Sequence, residues 1–404
     1  MGETTETTVQ RNRGMPYSDE PGWMGPAIRI GALVSSCLVG GNEIDNVRGD
    51  GISVEGQNNC VRSNTIRHFT GIGISLERSS GHNIVERNLI CDAVPGNVGH
   101  HVGRGMWVDG CAKNVVRYNC ITRCTNGAWL SNHVLFEKNT VTYNKADGIV
   151  VWGRNTDVAS NKIKSNGGVG AHVHQYACCC KIRSNLFVSN GKSGLVIDKG
   201  ARKISVWGNL YFMNGSILGL AKGIAPVASG GTGIRVIGSA PEIVGNVISH
   251  DHHDGIVCEH GARPIITLNN IHDNRGYGLV NLDTSVTIFA PSNWWGDPSG
   301  PSGAGPGSGD EVSPGVDFSN WAGERIALLV RATEDTLFVP LGGTDSLVCL
   351  FQNWDNPDDV LTVEVAADSA SWLVSPEQMT VALAGDSTGA DTSLIFSIPA
   401  GTSL

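Results

Sequence analysis

Three carboxylic acids recur at one position of a repeated glycine-led segment. In GISVE, GISLE and GMWVD, the acids Glu55, Glu77 and Asp109 each stand four residues after the glycine. If such segments are stacked strands, the acids lie about 5 Å apart on adjoining strands and about 10 Å apart on alternate ones. These distances are close to the carboxylate separations of retaining and inverting glycosidases. The spacing therefore predicts catalytic carboxylates, with a bound Ca²⁺ or solvated acids as the alternatives.

Aromatic side chains share the predicted outer face of these strands. Trp107 and Trp129 occupy equivalent positions in successive segments, and Trp152 stands two residues further along the next one. Exposed indole faces stack on the apolar C–H surfaces of sugars. We therefore predict that the three tryptophans bind substrate, assisted by Arg104.

Two histidines and an aspartate extend the same face. His172 and His174 alternate in GAHVH, and Asp198 ends the next segment, GLVID. A histidine paired with an aspartate can act as a general base. In β-elimination from a uronic acid, His174 would be the base and Arg104 would neutralise the substrate carboxylate. We assign His174 and Asp198 to catalysis and His172 to substrate binding; a surface histidine pair without chemistry is the alternative.

An insertion at 91–103 interrupts the repeat beside the tryptophans. It carries His100 and His101. We expect this loop either to cover the tryptophans or to form one wall of a groove.

The elements that must position these side chains are repeats of about 22 residues. An asparagine recurs, mostly in steps of 20 to 24 residues, with apolar residues three positions before it and two positions after it. Three short strands per repeat cannot bury their apolar faces alone, so the copies must stack. We predict an all-β parallel β-helix of about eleven coils, whose asparagines tolerate a left-handed backbone and form hydrogen-bonded ladders at the turns. The asparagines are Asn42, Asn64, Asn88, Asn119, Asn139, Asn161, Asn185, Asn209, Asn246, Asn269 and Asn293.

The repeat resembles a known superfamily. Together with SNWWGDPSGP at 292–301 and VSPGVDFSNW at 312–321, it resembles the right-handed, pectate-lyase-like β-helix proteins, in particular bacterial secreted or surface proteins that end in an NWWG segment. The resemblance covers residues 27 to about 321. It implies the fold but no single activity, because the superfamily includes lyases, hydrolases, epimerases and adhesins.

The remaining segments suggest the domain organisation. We predict a lead-in or cap at 1–26, the β-helix at 27–301, and a Gly/Pro/Ser-rich connection over the helix end at 302–333. Strands at roughly ten-residue spacing predict a partial β-sandwich at 334–404, which resembles bacterial immunoglobulin-like modules. We expect this sandwich to be truncated.

Charge and composition exclude several classes of partner. A net charge of -9 without a basic run argues against nucleic-acid binding. The sequence contains no run of 18 apolar residues, so it does not predict membrane insertion. The run HDHHDG at 250–255 has metal-binding residue types, but it occupies a turn, so we assign no metal ligands. Ca²⁺ is the one cofactor considered.

These features together predict an extracellular protein that binds a polysaccharide and degrades it as a glycoside hydrolase or a lyase. We expect it to be secreted or held at the cell surface, its leader absent from this sequence. The alternative is a non-catalytic, adhesin-type rod that binds glycans or has a structural role. The sequence leaves the oligomeric state open.

Overall fold

A computed structural model describes most of the chain in two compact units, Met1–Glu324 and Arg325–Leu404. Among the described residues, the regular elements are all β-strands, and no helix is long and apolar enough to cross a membrane. Full description covers residues 25–77, 80–94, 103–110, 112–215 and 231–326. Strand backbone alone is described at 8–10, 328–332, 344–353, 359–364, 373–375, 378–383 and 390–397.

The first unit is a parallel β-helix built from three sheets. The first sheet contains the strands that precede the ladder asparagines, and within the described residues it has thirteen strands. They are Thr8–Gln10, Leu38–Gly40, Cys60–Arg62, Ile84–Glu86, Asn114–Arg117, Val134–Glu137, Asp157–Ala159, Lys181–Arg183, Ser205–Trp207, Glu242–Val244, Ile265–Thr267, Ile288–Phe289 and Val316–Asp317.

The second sheet contains the strands that follow the asparagines. Its ten strands, counted over the described residues, set the helix at about ten coils. The predicted eleventh coil is reduced at this sheet to a single bridge between Asn270 and Trp294. The strands are Glu43–Val47, Thr65–Phe69, Leu89–Cys91, Cys120–Thr122, Thr140–Thr142, Lys162–Lys164, Leu186–Val188, Leu210–Phe212, Val247–Ser249 and Asn270–His272.

The third sheet contains the glycine-led strands and carries the candidate site. Its last two strands come from the predicted connection at 302–333 and the residues beside it, so this segment contributes to the helix. In the described part of the chain the strands are Ile28–Ile30, Ile52–Val54, Ile72–Leu76, Arg104–Val108, Asn126–Leu130, Ile149–Val151, Ala171–Val173, Leu195–Ile197, Ile234–Ile237, Ile256–Glu259, Leu279–Asn281, Gly309–Val312 and Pro301–Gly303.

Apolar residues on both sides of each asparagine form the core. Val158, three residues before one asparagine, and Ile163, two residues after it, are fully buried, and their equivalents in the other coils are buried as well. Phe187 and Tyr211 stack with ring centroids 4.8 Å apart. The two predicted inward columns are therefore confirmed.

The asparagines form the predicted ladder of hydrogen bonds. Oδ1 of Asn161 accepts from the backbone N–H of Asn139 at 2.8 Å and from its side-chain Nδ2 at 3.1 Å. Nδ2 of Asn161 donates to Oδ1 of Asn185 and to the carbonyl of Phe136. Each buried amide thus satisfies polar groups on the coils before and after its own.

The backbone conformation of the ladder differs from the prediction. The left-handed residue is the one before the asparagine, as with Ser160 (φ 55°) before Asn161 and Ser184 (φ 54°) before Asn185, and the ladder asparagines themselves have no positive φ. The chain bends at the preceding residue, which leaves the asparagine side chain directed along the ladder. Our expectation of left-handed asparagines was wrong.

The second unit consists of antiparallel strands. Its assignment as an immunoglobulin-like module, and the domain boundaries, stay predictions. Over the described residues, one sheet contains Leu328–Ala332, Thr344–Asn353, Ala390–Ser397 and Leu373–Ser375, and a ribbon contains Asp359–Glu364 and Gln378–Leu383.

The substitution Asn161→Ala tests the ladder. Removing the amide leaves the buried N–H of Asn139 without its acceptor, so we expect a loss of roughly 1–3 kcal/mol of unfolding free energy. Urea unfolding at equilibrium measures this loss. Lys162→Ala, an exposed change on the same coil, is the control. Equal stability of the two variants would contradict a ladder that holds the coils in register.

Candidate functional site

The candidate site lies on the outer face of the third sheet. In the parallel register, Trp107 pairs with Ser75 on the preceding coil and with Trp129 on the following one. Val150 and His172 continue this column on the next two coils. Residues 20 or more positions apart in the chain thereby become neighbours.

Four aromatic rings stack along the helix axis. Trp107 and Trp129 lie with centroids 5.7 Å apart, Trp129 and Trp152 6.0 Å apart, and Trp152 and His174 3.9 Å apart. Tyr176 tilts against both Trp152 and His174. The inner indole faces therefore contact each other, which corrects the expectation that these faces are open to sugar. Indole edges and Tyr176 remain for a ligand.

Arg104 packs against the aromatic stack. Its guanidinium carbon lies 3.9 Å from the ring centroid of Trp129 and 5.1 Å from that of Trp107. Only 9% of the residue is exposed, and burial lowers its pKa to about 10. The predicted substrate-binding arginine therefore packs on the tryptophans and does not line the groove.

A groove of about 720 Å³ runs beside the stack. It is lined by the three tryptophans and by polar side chains from the third sheet and the turn after it. Of the polar lining residues, sequence reasoning predicted only Asp109. The turn column pairs Arg154 with Cys178 and Cys178 with Arg202 on successive coils, so aligning turns as well as strands would have found both arginines. The polar and tyrosine lining consists of Asp109, Ser131, Asn132, Arg154, Gln175, Tyr176 and Arg202.

The negative charge of the three stacked carboxylates, Glu55, Glu77 and Asp109, is partly neutralised. Nε of Arg29 donates to Oε1 of Glu55 at 2.8 Å, so the charge of this acid is offset by an arginine on the preceding coil. The same kind of cross-coil pairing joins Arg117 and Glu86 on the first sheet.

Glu77 and Asp109 occupy the positions equivalent to Glu55 on the next two coils. The backbone N–H of Asp109 donates to the carbonyl of Leu76, which keeps the two acids in register. Burial raises the pKa of Glu77, and the negative charges of Glu55 and Asp109 add to the rise. Asp109 lines the groove. An acid with a raised pKa thus lies one coil away from an acid in the groove.

His172 is held between two carboxylates. Its Nε2 lies 3.0 Å from Oδ2 of Asp198, and its Nδ1 lies 3.8 Å from Oδ2 of Asp147. Burial alone would lower the pKa of His172, but the two carboxylates outweigh burial and raise it. Sequence reasoning found Asp198 and missed Asp147, which comes from the turn before the strand of the preceding coil.

The pKa of His174 is shifted in the opposite direction from that of His172. Burial lowers the pKa of His174, assisted by the charge of His172. Its Nδ1 and the Nε1 of Trp129 are both buried without a hydrogen-bond partner among the described residues. Buried polar atoms of this kind call for a partner such as water or a ligand. Of the inserted loop at 91–103, residues 95–102, which include His100 and His101, lie outside the described residues, so its predicted position over or beside the tryptophans stays a prediction.

Comparison with known proteins places the fold. The family model for right-handed β-helix regions matches residues 30–159 and 131–231, together half of the chain. The chain belongs to the right-handed β-helix family. No curated protein sequence matches this β-helix protein.

Several solved structures are similar to this chain at low sequence identity. The A-module of a mannuronan C-5 epimerase from Azotobacter vinelandii is 14% identical, with a TM-score of 0.55 over 78% of this chain and 91% of the epimerase chain. An α-1,3-glucanase catalytic unit from Streptomyces thermodiastaticus is 16% identical (TM-score 0.46; 74% and 62% covered). A surface adhesin of Streptococcus pneumoniae is 12% identical (TM-score 0.45; 68% and 74% covered). At 14% identity the similarity to the epimerase module is one of fold, and the activity must be argued from the site.

The ion triad around His172 predicts a pH-dependent stability. The pKa of His172 in the folded protein is raised above the ordinary value of 6.5. The protonated His172 therefore stabilises the folded state fully below pH 6.5, and this stabilisation is lost as the pH rises through the pKa of the folded protein. We expect His172→Gln to cost about 1 kcal/mol at pH 5 and less at pH 9. Urea midpoints of both proteins across this range measure the difference. A stability gap that does not change with pH would contradict the ion triad.

Proposed function

We propose that this β-helix protein binds an extracellular polysaccharide in the groove beside the tryptophans and degrades it. The observation that carries the proposal is the groove itself, where aromatic edges and polar side chains line about 720 Å³. Rings supply apolar contact to sugar C–H groups, and charged or amide side chains bind hydroxyls.

The charges of the groove favour an acidic polymer. Arg154 and Arg202 are both exposed and lie on alternate coils. Their guanidinium groups bind carboxylates in a bidentate manner. They replace Arg104 as the residues that would neutralise a uronate, because Arg104 is buried.

Hydrolysis by Glu77 and Asp109 is the first candidate reaction. Glu77, whose pKa is raised, would donate the proton to the leaving oxygen. Asp109, on the adjoining coil and in the groove, would be the nucleophile or the base. A backbone separation of about 5 Å between stacked strands favours the retaining geometry.

β-Elimination is the second candidate reaction. The lowered pKa of His174 keeps its imidazole neutral near pH 7, as a general base requires. In this route Arg154 or Arg202 neutralises the uronate carboxylate. His172 lies between two aspartates and is paired with Asp198. In this route His172 and Asp198 would therefore position neighbouring groups and would not transfer the proton.

A non-catalytic, adhesin-type rod is the alternative function. The specific observation in its favour is that Glu55 and His172, both predicted to act at the site, are held in ion pairs. Such a rod would bind the same glycan in the same groove without turnover. Three further proposals are compatible with either function: an NWWG-type helix end, an immunoglobulin-like module, and a secreted or surface location. For the enzyme, we also propose Ca²⁺ as a cofactor.

Binding is tested with groove and control variants. We expect Tyr176→Ala and Trp152→Ala to weaken binding of an acidic oligosaccharide at least tenfold, because both side chains line the groove and are 59% and 37% exposed. Isothermal titration against acidic and neutral oligosaccharides measures the affinities. Phe289 lies on the first sheet and is 50% exposed, between the two groove residues, so Phe289→Ala is the matched control. Equal loss in all three variants would remove the groove as the binding site.

Catalysis is tested by the products and by matched acid variants. We expect Glu77→Gln and Asp109→Asn each to slow hydrolysis by about 10²-fold or more, whereas Glu55→Gln, which removes an acid already paired with Arg29, keeps most activity. Reducing ends report hydrolysis, and the absorbance of unsaturated uronates reports elimination. Elimination that His174→Gln abolishes would select the second reaction. Tight binding without either product would select the non-catalytic rod.

A further inference from the structure

A cluster of metal-binding side chains lies at the end of the second sheet, on a different sheet from the groove. Ser249 pairs with His272 in the parallel register of two adjoining coils. His250 follows Ser249, and Asp273 follows His272, so they occupy equivalent turn positions one coil apart. Both have a left-handed backbone with φ of 57°.

The three side chains converge. His250, His272 and Asp273 each offer one ligand atom, and these atoms lie within 4.8 Å of one another. The imidazole Nδ1 of His272 donates to Oδ2 of Asp273 at 2.7 Å. In a tetrahedral zinc site with bonds of about 2.0–2.1 Å, ligand atoms lie about 3.3 Å apart. Small rotations of the exposed His250 and Asp273 side chains would reach this spacing.

We propose that His250, His272 and Asp273 bind one divalent transition-metal ion, Zn²⁺ in particular. Two imidazoles and one carboxylate suit zinc and its first-row neighbours, whereas Ca²⁺ and Mg²⁺ prefer sites made of oxygen ligands alone. Whichever imidazole nitrogen binds the ion must be deprotonated, so binding at Nδ1 of His272 would release the proton now shared with Asp273. Water completes the coordination from the solvent side.

A neighbouring aromatic ring contacts each imidazole and limits its rotation. The ring of Phe212 lies 5.1 Å from that of His250, and the ring of Trp294 lies 5.1 Å from that of His272. The histidines themselves meet edge to face at 6.1 Å. Rings that are packed in this way lose little freedom when they bind an ion.

The ion would join two coils near the C-terminal end of the helix. One ligand comes from the coil that contains His250 and two come from the next coil. Because such an ion binds only the folded arrangement, it would raise the melting temperature of the protein. The exposed His250 and Asp273 leave the ion accessible to chelators.

The test uses the full chain without a histidine tag, treated with EDTA and dialysed. We expect calorimetric titration with ZnCl₂ to show one ion per chain with a dissociation constant in the micromolar range or below, and CaCl₂ to bind at least 100-fold more weakly. Co²⁺ should give visible absorption bands of an imidazole-ligated site. Zinc should raise the melting temperature by an amount that grows with the logarithm of the free zinc concentration once this exceeds the dissociation constant.

The variants separate this site from other zinc-binding groups. His250→Asn and Asp273→Asn keep a residue that tolerates the left-handed backbone, and each should weaken zinc binding at least tenfold. His253→Ala, an exposed histidine in the same turn, and Cys179→Ser, an exposed thiol, should leave it unchanged. Absence of stoichiometric binding would overturn the proposal. So would retention of affinity in the His250→Asn, Asp273→Asn double variant, or loss in either control.

Discussion

The register between coils is the constraint on which the rest of the structure depends. Buried asparagine amides maintain it, since each accepts from the coil before and donates to the coil after, as Asn161 does between Asn139 and Asn185. An amide buried without these partners would cost about 1–3 kcal/mol. A coil displaced along the chain would leave several such groups unsatisfied and would move apolar residues out of the core. The ladder therefore selects one stacking arrangement.

One consequence of this register is that like residues stack on like residues. Trp107 and Trp129 meet because their strands pair position by position. Stacking holds the rings rigid, and it also covers their inner faces. The groove is lined by the three tryptophans, Tyr176 and polar residues that follow the strands.

Charged residues also form pairs between neighbouring coils. Glu55 pairs with Arg29, Glu86 with Arg117, and His172 with acids on both neighbouring coils. These pairs offset the repulsion that stacked like charges would cause. The acids with the strongest case for chemistry are Glu77, with its raised pKa, and Asp109 in the groove. In the turns, similar stacking brings His250 close to His272 and Asp273.

The sequence by itself determined the parallel β-helix, the inward apolar columns, the asparagine ladder and the adjacency of Trp107 and Trp129. All of these follow from a repeat whose period can be counted. Only the tertiary structure decided which side chains contact each other across coils, because rotamers and turn geometry are not periodic. It buried Arg104, paired Glu55 with Arg29, and brought Asp147 to His172 from a turn. Turns vary in length and conformation from coil to coil, so their side chains acquire neighbours only when the chain is folded.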